Sequence, residues 1–172
     1  KRSASSQASN RRVLRALRKI DFPNNRTRKN VLRSQKTSAK MMCLGMVYAR
    51  PHGMIVSNET LRRPNLTHLL VSLMQEHDPS FKFTSIQINK QHRSPMHCDA
   101  NNHGPSRIIG VGDYVGGRVW VHGTGPLDCH NSFVEFDGNV AHCTLPFKGE
   151  RFSLVYYTNK LFNHAGKRRT NR

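Results

Sequence analysis

From residue 81 onward the chain reads as a series of short runs, each too short for a helix and each bounded by glycine, proline or aspartate. The runs are "FKFTSIQINK", "SRIIGVGDY", "GRVWVHG", "SFVEFDGNVAHCTLP" and "GERFSLVYYT". In the first, Phe81, Phe83, Ser85, Gln87 and Asn89 alternate with Thr84, Ile86 and Ile88, the two-residue period of a strand. Asp137-Gly138 is turn chemistry and predicts a tight hairpin between two strands. Six or seven such strands, with no helix between them, exclude a parallel βαβ fold and predict a small sandwich or barrel. Ahead of them, "MMCLGMVYAR" (41–50) suits another strand. Leu66, Leu69, Leu70, Leu73 and Met74 form one stripe of a helix over 65–76, opened by Pro64 and closed at Asp78-Pro79. The expected fold is mainly β with flanking helices, in one domain: 172 residues are scarcely enough for two.

Charge divides the chain. The formal net charge is +18, and residues 1–40 hold 13 of the 28 Lys and Arg but one of the 10 acidic residues, Asp21. Residues 41–162 form the expected globular domain, and 163–172 a basic tail containing "KRRTNR". In the N-terminal segment, residues 1–9 are serine-rich and expected to be disordered. Val13, Leu14, Leu17 and Ile20 follow at helical spacing, with Arg11, Arg12, Arg15, Arg18 and Lys19 on the other side, which leaves the helix three places to lie: on the domain, on phosphates or on a membrane. A basic arm of this kind points to nucleic acid, with an anionic membrane surface as the rival partner. Being Arg- and Ser-rich and poor in acids, the segment also fits an organelle-targeting peptide. No apolar run approaches the length of a membrane span. The four cysteines, Cys43, Cys98, Cys129 and Cys143, form no C-x-x-C pair, which argues against a zinc knuckle and for reduced thiols inside a cell.

One stretch is too rich in coordinating groups for an ordinary turn: "SPMHCDANNHGPS", residues 94–106. In extended chain His97 and Asp99 point to one side, roughly 6–7 Å apart, so an imidazole and a carboxylate can grip one ion. His142, in "FDGNVAHC", is the natural third ligand. Two histidines and a carboxylate on one face of an octahedron leave the opposite positions open, as in non-haem iron oxygenases. Nine residues after His142, Arg151 and Ser153 share a strand face with Val155 and Tyr157. A guanidinium fork with a hydroxyl two residues on suits a carboxylate ligand.

The order H-x-D, G-x-Y-x-G-G, F-D-G-x-x-x-H and G-x-R-x-S resembles the Fe(II)/2-oxoglutarate-dependent dioxygenase superfamily over residues 81–159. That resemblance implies a double-stranded β-helix (jelly roll). It also implies Fe(II), 2-oxoglutarate and dioxygen as cofactor and co-substrates, with ascorbate as a reductant. Within the superfamily "HCDANNHGPS" and "GVGDYVGGRVWV" look most like the TET/JBP branch, which oxidises the methyl group of a nucleic-acid base. Carried over, His97, Asp99 and His142 would bind iron, and Arg151 and Ser153 the 2-oxoglutarate carboxylate. Asn89 would touch the co-substrate's other end, or be an inward polar residue satisfied by backbone. Asn102 stands where that branch contacts the base, though Asn-Asn-His-Gly is also turn chemistry. Asn159 occupies the second base-contact position, where the family often has histidine, and His103 is placed to reach phosphate or substrate. The expected function is oxidation of a base methyl group in DNA by a monomer, in the nucleus or another DNA-containing compartment. A duplex base would have to be flipped out, with the basic arm holding phosphates. The alternatives are a protein side-chain hydroxylase of the same superfamily and an inactive, nucleic-acid-binding jelly roll.

Overall fold

A computed structural model describes residues 4–32 and 38–164. In chain order its elements are α1 (Ala4–Arg18), β1 (Asn24–Asn25), β2 (Ala39–Ala49), β3 (Gly53–Val56), α2 (Asn58–Arg62), α3 (Pro64–His77), β4 (Ser85–Lys90), β5 (Asn102–Val111) and β6 (Tyr114–Gly116). There follow β7 (Val119–Val121), β8 (Gly125–Leu127), β9 (Val134–Phe136), β10 (His142–Thr144), β11 (Phe147–Gly149) and β12 (Phe152–Asn159). A large antiparallel sheet runs β1-β2-β4-β12-β5-β9, with β3 added beside β2. Two smaller ladders, β10-β7-β8 and β11-β6, make up the second wall. Ile108 and Phe136 of the large sheet pack against Val119 and Val121 of the small one. The result is the jelly roll that the family resemblance implied, within the sandwich or barrel expected from the strand count.

The large sheet is buried on both faces, and the alternation along each strand sorts the two. Ile86, Ile88, Phe152, Leu154 and Tyr156 point outward to α1 and α3, and meet Val13, Leu17, Leu66, Leu70, Leu73 and Met74. Gln87, Ser153 and Val155 point inward between the sheets, where Gln87 and Ser153 are 5% and 3% exposed. Tyr156 is fully buried yet satisfied, since its hydroxyl donates to Leu70 O at 2.8 Å.

The structure departs from the sequence reading at three places, and settles a fourth left open, the seat of the basic helix. The serine-rich start is helical from Ala4, because tertiary bonds fix it: Ser9 Oγ donates to Glu76 Oε2 at 2.6 Å, and Asn10 Nδ2 donates to Asn131 O at 3.1 Å. Such contacts outweigh weak helix propensity. The basic helix lies on the sheet, with Val13 and Leu17 wholly buried. Phe81 and Phe83 precede β4 and turn to the helical side, where Phe83 meets Tyr156 edge-on at 5.2 Å. Finally, Asp137-Gly138 makes no hairpin: β9 pairs with β5 and β10 with β7, so this turn carries the chain from one sheet to the other. The tail "KRRTNR" lies outside the described residues.

Candidate metal centre and cavity

The crossing turn explains how the site is assembled. His97 and His142 exchange backbone hydrogen bonds, His97 N to His142 O at 3.0 Å and His142 N to His97 O at 2.9 Å. Asp99 N donates to Gly138 O at 2.8 Å. The H-x-D segment is therefore docked along β10, and three distant side chains converge. His97 Nε2 and His142 Nε2 each lie 3.8 Å from an oxygen of Asp99, and the three ligand atoms are all within 4.8 Å of one another.

Both rings are oriented in the same way. His97 Nδ1 lies 2.8 Å from Pro95 O, and His142 Nδ1 2.8 Å from Val140 O. A carbonyl can only accept, so each Nδ1 donates a proton to it and each Nε2 faces Asp99. Burial pushes His97 below the ordinary histidine pKa, which favours the neutral ring that a metal requires.

These three residues stand on the wall of a cavity of about 400 Å³. Ser153 and Asn89 line it from the large sheet, joined by a 3.1 Å hydrogen bond from Asn89 Nδ2 to Ser153 Oγ. Gln87 Nε2 in turn donates to Asn89 Oδ1 at 3.1 Å, so Asn89 is satisfied by side chains and not by backbone. Asn102 and Asn159 also line the cavity, and they sit opposite each other in the β5–β12 ladder. Gly138 lies directly beneath Asn102: a Cβ there would come within 2.6 Å of Asn102 Nδ2. His103 does not join them. As the next residue on β5 it points the other way, exposed and against Phe162 at 5.7 Å.

Arg151 is placed differently from Ser153. It is 2% exposed and outside the cavity lining, with Nη2 donating to Gly117 O at 3.1 Å and the guanidinium over the rings of Tyr114 and Phe147. Among the described residues no carboxylate pairs with it, and its Nε and the Tyr114 hydroxyl are buried without a partner. Gly117 permits this placement, since a Cβ there would lie 2.8 Å from Arg151 Nε. Burial pushes the Tyr114 phenol pKa up, so the hydroxyl is a donor. Tyr114 stood in the G-x-Y-x-G-G motif, but only the fold shows it beside Arg151.

Of the basic residues in α1, Arg12 pairs with Glu76 at 3.6 Å, and Arg18 with Asp113 at 2.6 Å and Glu150 at 2.7 Å. Arg11, Arg15 and Lys19 are exposed. The four arginines ride on a helix packed against the outer face of the sheet, and Lys19 follows directly on it, all away from the cavity. The cavity also holds a cation that nothing in its sequence context singles out, Arg28, whose Nη2 lies 3.3 Å from Asp99 Oδ1.

No family model and no curated protein matches this sequence. Solved structures do. An oxidoreductase of the 2OG-Fe(II) oxygenase family from Burkholderia pseudomallei aligns over 88% of this chain and 81% of its own, at 17% identity and a TM-score of 0.55. A prolyl hydroxylase from Trichoplax adhaerens, in complex with a hypoxia-inducible-factor peptide fragment, aligns over 96% and 83%, at 13% identity and a TM-score of 0.53. A 5mC DNA complex of NgTET1 aligns over 70% and 61%, at 16% identity and a TM-score of 0.49. At these identities the likeness is one of fold, and the fold is the double-stranded β-helix.

Proposed function

We propose that the chain is an Fe(II)- and 2-oxoglutarate-dependent dioxygenase that oxidises a methyl group on a nucleic-acid base, as a TET/JBP-like enzyme. The observation that carries this reading is the triad. Two imidazoles and one carboxylate converge within 4.8 Å, with both Nδ1 atoms committed to backbone carbonyls. This donor set suits Fe(II) and leaves coordination positions open for ligands. His97, Asp99 and His142 would hold the ion, which supplies dioxygen activation and C–H oxidation coupled to conversion of 2-oxoglutarate to succinate. Ascorbate would keep the metal reduced.

Arg151 supports the co-substrate. A buried guanidinium without a carboxylate is unfavourable unless an anion joins it. The orphaned Nε and the Tyr114 hydroxyl are two further donors at the same point. A ligand carboxylate satisfies all three, with the Ser153 hydroxyl and the Asn89 amide nearby on the sheet.

The substrate reading rests on the rest of the cavity. Its polar groups include several amides, among them Asn101, Asn102 and Asn159, and its volume of about 400 Å³ suits a single extruded base. Amides offer donor and acceptor together, as a base edge requires. The net charge of +18 supplies phosphate affinity, with Arg11, Arg15 and Lys19 available to flanking nucleic acid. Such an activity belongs in the nucleus or another DNA-containing compartment.

The test offers the purified chain, with Fe(II), ascorbate and 2-oxoglutarate, methylated DNA, unmethylated DNA and a peptide pool, and measures succinate. Succinate that rises with methylated DNA alone is the expected result. Succinate with peptides alone makes the protein a side-chain hydroxylase. No bound iron and no succinate under any condition leaves an inactive binding module.

A further inference from the structure

Arg28 sits on a wall that is held in place. The chain leaves α1, pairs β1 with β2 through Asn24 opposite Lys40 and Asn25 opposite Ala39, and then turns over the cavity. The Asn25 side chain pins that turn, its Oδ1 accepting from Thr27 N at 2.9 Å, Thr27 Oγ1 at 3.0 Å and Arg28 N at 3.3 Å. Just beyond, Val31 and Leu32 are buried against Ala39 and Met41. The arginine is thus presented from a built surface.

Its surroundings are polar but almost uncharged. Among the described residues lining the cavity, Arg28 is the one Lys or Arg and Asp99 the one Asp or Glu. The Arg28 side chain is 31% exposed and reaches Asp99 through a single 3.3 Å contact. Asp99 also faces both histidine Nε2 atoms, so a metal held by the triad takes up its charge. Arg28 then has a guanidinium fork directed at the cavity and no carboxylate to match it.

We propose that Arg28 is an anion-binding subsite at the cavity, which takes a phosphate adjoining the target base as that base enters. This rests on the nucleic-acid reading above. A polar cavity with one cation, and with its one acid facing the metal ligands, matches a nucleotide, which pairs one uncharged base with one anion. The planar guanidinium suits a phosphate bidentately.

Binding, not turnover, tests this. The full chain, loaded with Fe(II) under anaerobic conditions, is titrated with a short single-stranded oligonucleotide bearing one central 5-methylcytosine. A second oligonucleotide differs only in neutral methylphosphonate linkages on either side of that base. The native protein should prefer the phosphate form, and Arg28→Gln should lose roughly tenfold to a hundredfold of affinity for it, with little change for the neutral form. Arg28→Lys should keep part of the preference, and melting curves of both variants should match the native protein. If Arg28→Gln discriminates as well as the native chain, the subsite assignment is overturned while the nucleic-acid reading stands. If the native chain binds neither oligonucleotide but binds an acidic peptide, both fall together.

Discussion

The two faces of the central strands are built to opposite rules. On β12, Leu154 and Tyr156 are wholly buried among apolar side chains from α1 and α3. Ser153, between Phe152 and Leu154, is as deeply buried, but it faces the other way and meets Asn89. Burial alone therefore says nothing about role here. The helical face removes apolar area from water, which stabilises by about 25 cal/mol per Å². The cavity face holds amides, a hydroxyl and two imidazoles, and beyond the cavity lining lies the Arg151 guanidinium without an acid. Buried polar groups of that kind weaken a fold unless something satisfies them. Their presence marks the face that a ligand completes.

The comparison breaks most visibly at the triad. His97→Ala should abolish metal binding, read by elemental analysis, and with it all succinate production, while the melting temperature stays near native. The next largest effect lies one face away. Leu154→Ala and Leu17→Ala should each cost about 2–5 kcal/mol in urea unfolding, with metal affinity unchanged. Leu17 sharpens the point, because its helix reads in sequence as a basic arm. Removing residues 4–18 should destabilise the whole domain and not merely weaken nucleic-acid binding. Arg151→Met should do the reverse of the leucines. It removes a buried charge that lacks an acid, so the ligand-free protein should gain on the order of 1 kcal/mol, while 2-oxoglutarate binding by calorimetry is lost. An arginine already satisfied within the fold would instead lose stability when replaced.

The helical face was legible in sequence because its signal is local. The α3 stripe of Leu66, Leu70, Leu73 and Met74 is where its spacing placed it. The grouping of His97 and Asp99 with His142 was legible too, from the two-residue spacing of H-x-D and a histidine after a turn, whereas of Arg151 and Ser153 only Ser153 lines the cavity. What sequence missed depends on crossings between sheets. Asp137-Gly138 has the composition of a hairpin, but it passes from β9 to β10, and its Gly138 supports Asp99 and leaves room for Asn102. His103 fails as a cavity residue for the simplest reason, since it neighbours Asn102 on the same strand. Arg28 lay among many basic residues, and only the pairing of β1 with β2 brings it to the cavity.

The smallest effect separates the faces by acidity. Burial holds His92 and His97 below the ordinary histidine pKa, so both resist protonation in the folded state. In the unfolded chain they protonate near pH 6.5. Below that value the unfolded state binds more protons than the folded one, and stability falls with pH. Their contribution is therefore complete above about pH 6.5 and is lost progressively as pH drops toward their folded values. In metal-free protein, His97→Gln should flatten the decline in unfolding free energy between about pH 6.5 and 5. Leu154→Val, on the helical face, should lower the whole curve and leave its slope alone, because no proton is exchanged there. If the two variants changed the slope equally, the division of this sheet into an apolar face and a titratable, ligand-binding face would be wrong.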